Sequence, residues 1–264
     1  MSKRDDINKL YVPSQKLGEF CKIVFWLNCA LAIANLFLPG LLPEISTAFQ
    51  ITLSMAFVVA SLIDDGLYWY SAESERRKNN FQTAFGIRFS ELETEGYYNN
   101  NLSPSVLKYA VNTFESNYFS KFIASKMLLK SAIKSLAAVI VLISAGWLIE
   151  DKSILLVISQ AIFSAYIVED TVLLAIYTNR LNKLYDSIYS MLVTSGIYRS
   201  QQIPILLFYC VEYESIKAHY NVRLDSKVFS KYNHELSEKW ERIVSEISIS
   251  IPEEDTQYCE MMIV

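Results

Sequence analysis

Four long apolar runs dominate the pattern of hydrophobic and polar positions along this 264-residue chain. They cover residues 23–42, 45–63, 135–149 and 154–168. A helix needs about 20 apolar residues to cross the roughly 30 Å hydrocarbon core of a bilayer. The first two runs contain no charged residue and satisfy this length outright. The last two satisfy it when they extend back to 133 and forward to 177, with Lys134, Glu169 and Asp170 at their inner ends.

The runs come in two pairs, and the segments that join the members of each pair are short. Residues 39–44 link the first pair and residues 150–153 link the second. Buried helices of a soluble protein are the alternative interpretation, but paired runs of this length are typical of membrane hairpins, in which each helix satisfies its own backbone in lipid. We therefore predict an all-α membrane protein, with four transmembrane helices in two hairpins and a mostly helical cytoplasmic domain.

This interpretation divides the chain into five consecutive segments. They are a cytoplasmic N-terminal segment (1–22), a first transmembrane hairpin (23–70), a cytoplasmic helical insert (71–127), a second transmembrane hairpin (128–177) and a cytoplasmic C-terminal domain (178–264).

Positive charges set the predicted orientation. Lys152 is the single positive residue in the two short loops, whereas every other flank of the four runs is basic. Because cytoplasmic loops carry an excess of Lys and Arg, both termini and the middle segment should face the cytoplasm. The basic residues on these flanks are Lys3, Arg4, Lys9, Lys16, Lys22, Arg76, Arg77, Lys78, Arg88, Lys121, Lys126, Lys130, Lys134, Arg180 and Lys183.

The middle segment reads as helix, loop and helix. No Pro or Gly interrupts residues 70–85, so the second span should continue as a helix to Gly86, with Phe81 and Phe85 on one face. Residues 92–104 are rich in turn formers and predict a loop. Ser103 and Pro104 resemble an N-cap and first helical residue, and a helix should run from there towards residue 126.

The C-terminal segment predicts two or three further helices. A helical stripe continues from the fourth run, residues 205–213 fit either a strand or a buried helix, and a helix is expected over 226–249 with Trp240 and Ile243 facing inward. The stripe consists of Leu181, Leu184, Tyr185, Ile188 and Tyr189.

Composition excludes several classes of function. The net charge is -4, so no basic field exists to bind a nucleic acid polymer. Two His and four Cys residues lack metal-ligand spacing, and no phosphate-binding glycine loop or hydrolase motif occurs. We predict no metal, no cofactor and no enzymatic activity.

Paired acids lie at the inner ends of the second and fourth runs. Asp64 and Asp65 mirror Glu169 and Asp170, while the first and third runs open with a lysine each, Lys22 and Lys134. Charged residues within a span usually face a bundle interior or an aqueous path, so these six are candidates for a gate. Counting residues inward from the outer loops places Lys134 and Glu169 at similar depths in the membrane, and Lys22 and Asp64 should also share a depth. The alternatives are ion pairs that fix hairpin register, or acids that already lie in the headgroup zone.

The topology and three cytoplasmic stretches carry a family resemblance. Residues 75–86, residues 97–104 with the helix after them, and residues 184–189 with 203–204 and 212–214 resemble the SMODS-associating four-transmembrane effectors. These effectors accompany cyclic-oligonucleotide synthases in bacterial antiphage systems of the CBASS type. The resemblance implies an inner-membrane protein, acting as a homo-oligomer, that responds to a cyclic oligonucleotide by disrupting the bilayer and causing abortive infection.

Two clusters have the residue types that bind nucleotides, namely cations for phosphate and aromatic faces for bases. Ordinary surface polarity, with Tyr anchoring the cytoplasmic core, is the alternative for both. The candidate ligand-binding residues are Arg88, Tyr97, Tyr98 and Asn99 in the middle segment and His219, Tyr220 and Arg223 in the C-terminal segment.

Three functions fit the sequence. The first is a ligand-gated effector that disrupts the membrane. The second is a transporter or channel subunit that uses the paired acids as ion ligands, although the outer halves of the runs offer few polar side chains for a path. The third is a membrane anchor that recruits a soluble partner through its C-terminal segment.

Overall fold

A computed structural model describes residues 4–37, 43–148, 167–194 and 202–250, and these residues are almost entirely helical. Short 3-10 and π segments accompany the α-helices, and the two strands have two residues each. In chain order the elements are β1 (Arg4–Asp5), a 3-10 turn (Asp6–Leu10), α1 (Tyr11–Phe37), α2 (Pro43–Ile63), a π segment (Asp64–Trp69), α3 (Tyr70–Phe85), β2 (Thr94–Glu95), α4 (Val106–Leu148), α5 (Ile167–Tyr189), a second π segment (Ser190–Thr194), α6 (Ile203–Tyr220) and α7 (Ser226–Ser250).

The chain forms two compact units, which are described separately. The hairpin unit comprises Asp5–Arg76 and Ile133–Glu169, and the packed unit comprises Met1–Arg4, Arg77–Ala132 and Asp170–Val264. Helices α3 and α4 each contribute residues to both units.

In the hairpin unit, α1 and α2 pack antiparallel along their length. Ser46 Oγ donates to Asn35 Oδ1 at 2.8 Å near one end of the pair, and Asn28 Nδ2 donates to Ser54 Oγ at 3.0 Å further along. Small polar side chains are well suited to this task, since they hydrogen-bond between helices without separating them. The described parts of the first two apolar runs, 23–37 and 45–63, are therefore two helices that pair antiparallel.

The N-terminal segment is fixed to the start of α3 by polar contacts within the hairpin unit. Arg76 forms two parallel hydrogen bonds with the carboxylate of Asp5, at 3.2 and 3.1 Å. Tyr11 Oη donates to Glu73 Oε1 at 2.8 Å, and its ring lies edge-on to Trp69 with 5.4 Å between centroids. A planar guanidinium that engages both carboxylate oxygens fixes orientation as well as distance.

Two helices in the described part of the chain are long and apolar enough to cross a membrane, by length and composition. They span Ile45–Phe85 and Val106–Ser144, and only 6% of the most apolar window of each is buried. The third apolar run of the sequence, 135–149, lies within α4 up to Leu148, and its last residue lies outside the described residues. The fourth run, 154–168, lies outside the described residues except for its last two. The large apolar side chains exposed on these two helices include Ile45, Phe49, Ile51, Met55, Val58, Val59, Leu62, Leu67, Leu129, Ile133, Leu136, Ile140, Val141 and Ile143.

The packed unit has a conventional apolar core. The N-terminal part of α4 packs with α5, α6 and α7 around Trp240, which is fully buried. The inward placement of Trp240 and the helical stripe on α5 are confirmed, and Ile243 packs partly buried against the same core. Residues 205–213 are helical, because Pro204 lies at the start of α6, where its missing N–H is tolerated. The largest core side chains besides Trp240 are Phe114, Tyr177, Leu181, Ile188, Leu206, Leu236 and Ile247.

The helix limits predicted within the middle segment are confirmed at one position and wrong at another. Helix α3 ends as expected at Gly86, which has a φ of 68°, a backbone conformation that glycine adopts without strain. The next helix does not start at Ser103 and Pro104. It begins at Val106, because the Ser105 hydroxyl accepts a hydrogen bond from Lys108 N at 3.1 Å and so acts as the cap. This helix runs past residue 126 to Leu148, and no Gly or Pro occurs in it before Gly146.

Candidate functional site

A chain of buried side-chain amides and hydroxyls joins α3, α4 and the loop between them. Asn112 Nδ2 donates to Asn80 Oδ1 at 3.1 Å, and Asn80 Nδ2 donates to Thr113 Oγ1 at 3.4 Å. From the loop, Asn100 Nδ2 donates to Asn112 Oδ1 at 2.8 Å. We call this set, together with Thr94 and Asn79, the amide network.

The second branch of the amide network starts from Asn79, which is 1% exposed. Thr94 Oγ1 donates to Asn79 Oδ1 at 2.7 Å. Nearby, the backbone N–H of Asn99 donates to both carboxylate oxygens of Glu115, at 3.3 and 3.0 Å. Loop 86–105 is therefore bound to two helices mainly through polar side chains, and side chain-to-backbone bonds of this kind organise irregular segments.

An ionic group lies between α3 and α6 in the packed unit. Glu214 is 3.9 Å from Arg77 and 3.6 Å from Lys217. Burial is the main cause that raises the pKa of the Tyr109 hydroxyl above its ordinary value, and the nearby Cys210 and Glu214 raise it further. Burial also raises the pKa of the Cys210 thiol to about 12, so this thiol stays protonated and unreactive at neutral pH.

An aromatic cluster packs beside this group. Tyr118 stacks on Trp240 with 5.9 Å between centroids, and Phe114 contacts both Tyr185 and Trp240. Lys121 Nζ lies 3.0 Å from the centroid of the Tyr185 ring, which is a close cation–π contact. Burial lowers the pKa of Lys121 to about 8, while Asp186 acts in the opposite direction. Burial, followed by the neighbouring tyrosines and acids, raises the pKa of Tyr185 to about 12.

The candidate ligand-binding residues lie on two different elements of the packed unit. Arg88 is exposed in loop 86–105, and its Nε donates to Ser90 O at 3.4 Å. Tyr97 and Tyr98 form an edge-to-face pair in the same loop, with 4.9 Å between centroids. These three residues therefore share their loop with Asn99, whose backbone binds Glu115.

The other candidate ligand-binding residues lie at the end of α6. His219 contacts Tyr220 edge-on at 4.7 Å, and Tyr220 contacts Tyr177 at 6.1 Å. Asn221 ends α6 with a φ of 47°, and Arg223 follows it, partly buried. The ring of Tyr220 thus packs against the core on one side and is partly exposed.

The candidate gating residues differ in exposure. Asp64 is 2% exposed at the start of the first π segment, whereas the adjacent Asp65 is exposed. Lys22 on α1 and Lys134 on α4 are exposed. Asp170 is exposed on α5, and the side chain of Glu169 lies outside the described residues. The common depth in the membrane expected for Lys134 and Glu169 therefore stays a prediction.

Two contacts pair α1 with the helix Ile45–Phe85 near Lys22 and Asp64. Cys21 Sγ lies 3.9 Å from Phe57 O, and the ring of Tyr11 contacts that of Trp69. The common depth expected for Lys22 and Asp64 stays a prediction.

The amide network was missed by the sequence analysis, although a signal existed. Asn79 and Asn80, and likewise Asn112 and Thr113, are adjacent weak helix formers inside helices. Such residues prefer caps and turns, so their presence in helix interiors indicates a specific tertiary role. Asn117 behaves in the same way, because its amide, oriented to satisfy both atoms, donates to Leu181 O at 3.3 Å and accepts from Tyr185 N at 3.1 Å.

The described residues contain no group of three or more His, Cys, Asp or Glu side chains placed to hold a metal ion. Three of the four cysteines, Cys21, Cys29 and Cys210, lie in the described ranges, and all three are free thiols. Comparisons with protein families, with characterised proteins and with solved structures gave no match to this chain.

Proposed function

We propose that this chain is an inner-membrane effector that crosses the bilayer four times, binds a cyclic nucleotide with its cytoplasmic unit and then disrupts the membrane. In this arrangement both termini and the middle segment face the cytoplasm, and several copies act together. The protein has no enzymatic activity of its own in this proposal, and its output is loss of the permeability barrier.

The observation that carries the proposal is the composition of two continuous helices. The helix Ile45–Phe85 has an exposed apolar first part and ends with the polar residues of the packed unit, including Asn79 and Asn80. Helix α4 has the reverse order, with Asn112 near its start and exposed apolar residues near its end. Soluble proteins rarely expose apolar surface on this scale, so lipid is the medium that suits these segments.

Coupling between ligand and membrane follows from this composition. A ligand shifts a conformational equilibrium only when it binds one state better than the other. Residues of the amide network lie on the same two helices that carry the apolar stretches. A ligand that alters the network therefore acts on helices that also contact lipid.

The first experiment tests placement in the membrane. Tags are added to the two ends of the full chain, and their accessibility is measured in spheroplasts and in inverted vesicles. We expect the protein in the membrane fraction after carbonate washing, with both tags exposed only in inverted vesicles. Recovery in the aqueous fraction without detergent, or tags on opposite faces, would overturn the proposal.

The second experiment tests the output. The full-length protein is reconstituted into vesicles of phosphatidylethanolamine and phosphatidylglycerol loaded with a self-quenching dye, and a panel of cyclic dinucleotides and trinucleotides is added. We expect dye release with at least one member of the panel and none with linear mononucleotides. Retention of dye with the whole panel contradicts this function.

A channel is the second candidate function, and the burial of Asp64 within the hairpin unit favours it. Buried acids in membrane helices often mark an ion path. A channel passes ions without releasing a large dye, so ion flux with full dye retention, abolished by Asp64→Asn and preserved by Asp65→Asn, identifies this function instead.

A further inference from the structure

We infer that the start of α7 and the facing turns of α4 form a docking surface for the headgroups of anionic phospholipids. This inference rests on the proposed function for the presence of a bilayer beside the packed unit. Three features of that unit support it, namely the direction of α7, the level at which α7 begins and the charges that it carries there. We call the surface the lysine patch, and its residues are Lys126, Lys130, Lys227, Lys231 and Tyr232.

Helix α7 runs antiparallel to the first part of α4. Just before α7, the backbone N–H of Asp225 donates to Met127 Sδ at 3.3 Å. Further along α7, the ring of Tyr232 contacts that of Phe122 edge-on, with 5.3 Å between centroids. Residue numbers therefore rise along α7 as they fall along α4, and α7 begins beside Met127.

Met127 lies next to the level at which the packed unit exposes apolar side chains. Leu129, two residues further along α4, is 66% exposed, and Val172 on α5 is 51% exposed. The two helices meet at this level, since Ser131 Oγ and Thr171 Oγ1 are 2.6 Å apart. From here α4 continues as the apolar stretch that the proposed function places in lipid, so α7 begins at the edge of the bilayer.

Each of the two helices contributes a pair of lysines to this region. Lys126 and Lys130 on α4 are exposed, and so are Lys227 and Lys231 on α7. Residues four apart lie on the same face of a helix, so each pair presents its ammonium groups together. Lys126 Nζ and Lys231 Nζ lie 5.3 and 5.2 Å from the centroid of the Tyr232 ring. These two like charges repel each other, and a bound anion relieves the repulsion.

Two acids near the lysine patch are bonded to other donors. Asp225 Oδ1 accepts from the backbone N–H of Lys227 at 2.8 Å and caps the start of α7. The charge of Lys126 also acts on Glu235, but that carboxylate accepts a hydrogen bond from Lys239 Nζ at 2.7 Å. These bonds favour an anion from outside the chain as the partner of the patch ammonium groups.

The charge and the level of the lysine patch together select anionic lipid as its partner. Anionic headgroups attract lysines that lie near a membrane surface. Side chains on a helix lean toward its N-terminus, so Lys227 and Lys231 lean toward the level of Leu129. Lysine keeps its ammonium group among headgroups while its aliphatic stem lies along apolar surface. A phospholipid offers both environments at once, because its phosphate adjoins the acyl chains that would cover Leu129.

The test measures equilibrium binding of lipid to the full-length protein in micelles of a neutral detergent. Native mass spectrometry gives binding constants for phosphatidylglycerol and for phosphatidylcholine. We expect phosphatidylglycerol to bind more tightly than phosphatidylcholine. The double variant Lys227→Gln with Lys231→Gln should weaken the binding of phosphatidylglycerol at least fivefold, because each lysine near a membrane surface attracts anionic lipid.

The matched control is Lys108→Gln with Arg242→Gln, which removes the same charge from the same unit. Lys108 lies about 30 Å from Leu129 along α4, and Arg242 lies about 22 Å from Lys227 along α7. This control should keep the binding of phosphatidylglycerol within about twofold of wild type. Thermal unfolding curves of both double variants establish that each is folded.

Other outcomes separate this inference from the proposed function. Equal binding of phosphatidylglycerol by the two double variants overturns the lysine patch, even where the ligand still releases dye from vesicles. Loss of an oligomer in Lys227→Gln with Lys231→Gln, with lipid binding kept, assigns the surface to a second copy of the chain and also overturns the patch. Lipid binding that depends on Lys227 and Lys231, without dye release by any cyclic nucleotide, supports the patch and contradicts the proposed output.

Discussion

Asn112 and Asn80 lie 32 residues apart in sequence, and the amide of Asn112 donates to that of Asn80 at 3.1 Å in the interior of the packed unit. Neither side chain has more than 6% of its surface exposed. The bond joins α4 to α3, and Asn100 extends it into the loop. One amide pair therefore helps to align α3, α4 and the loop between them.

Asn112→Ala should destabilise the packed unit. The substitution leaves Asn80 Oδ1 and Asn100 Nδ2 buried without their partner, and an unpaired buried polar group costs about 1–3 kcal/mol. The measurement is the free energy of unfolding of the purified protein in detergent. Asn101→Ala, at an exposed position, is the control and should change this free energy by less than about 0.5 kcal/mol. Equal stability of the two variants would contradict the alignment role.

Trp240→Ala should lower the free energy of unfolding by more than Asn112→Ala does. Its ring is fully buried and contacts Phe114 and Tyr118, and removal of a buried aromatic side chain typically costs about 3–5 kcal/mol. Trp147→Ala is the matched control, since Trp147 is 89% exposed. Urea unfolding followed by far-UV circular dichroism measures both. If Trp147→Ala lowered the free energy of unfolding as much as Trp240→Ala, burial of the ring would not be the cause.

The Lys121 ammonium should make stability depend on pH. Its folded-state pKa is lowered to about 8 by burial, whereas the unfolded value is 10.5. Between these values the unfolded chain binds more protons, so the free energy of unfolding should rise as pH increases from about 8 towards 10. The raised pKa of Tyr185 acts in the opposite direction above pH 10.

The contribution of Lys121 is isolated by comparing variants. We expect the pH-dependent rise to be absent in Lys121→Met and preserved in Lys126→Met, because Lys126 is exposed. Unfolding free energies measured at half-unit steps from pH 7 to 10 provide the comparison. A rise of the same size in Lys121→Met would assign the effect to another group.

The pair Arg76 and Asp5 should contribute more than an ordinary surface ion pair. Arg76 is 14% exposed and Asp5 27% exposed, and the guanidinium contacts both carboxylate oxygens. A double-mutant cycle with Arg76→Ala and Asp5→Ala should give a coupling free energy of about 1 kcal/mol. Lys9 and Asp6, a pair in which Lys9 is 79% exposed, should give less than about 0.5 kcal/mol. Equal coupling in the two cycles would contradict the role of geometry.

The hydropathy pattern was sufficient to predict much of the fold. The hairpin of α1 and α2, the continuation of α2 to Gly86, the stripe on α5 and the helix around Trp240 follow from periodicity and from the positions of Gly and Pro. Periodicity did not distinguish strand from helix over 205–213, because α6 has apolar residues on more than one face and so lacks a clear period. The π segment at Asp64–Trp69 has no signal in such patterns beyond the presence of Gly66.

The candidate site was less predictable. Arg88, Tyr97, Tyr98 and Asn99 stood out by residue type and share one loop, but their partner Glu115 lies on another element. Hydrogen bonds between residues 12 to 33 positions apart, such as that between Asn80 and Thr113, are set by tertiary packing. A pattern of residue types does not specify which side-chain amides form hydrogen bonds with each other.

Helix α4 extends from Val106 to Leu148 as 43 consecutive helical residues, about 65 Å at 1.5 Å per residue. A rod of this length without Gly or Pro before its last turn has no joint at which it bends easily. Because the helix is long and straight, a small change in its direction at Val106 would displace Leu148 by several ångströms. A rotation of the end that carries Asn112 would therefore displace the end that carries the exposed side chains of Ile140 and Ile143.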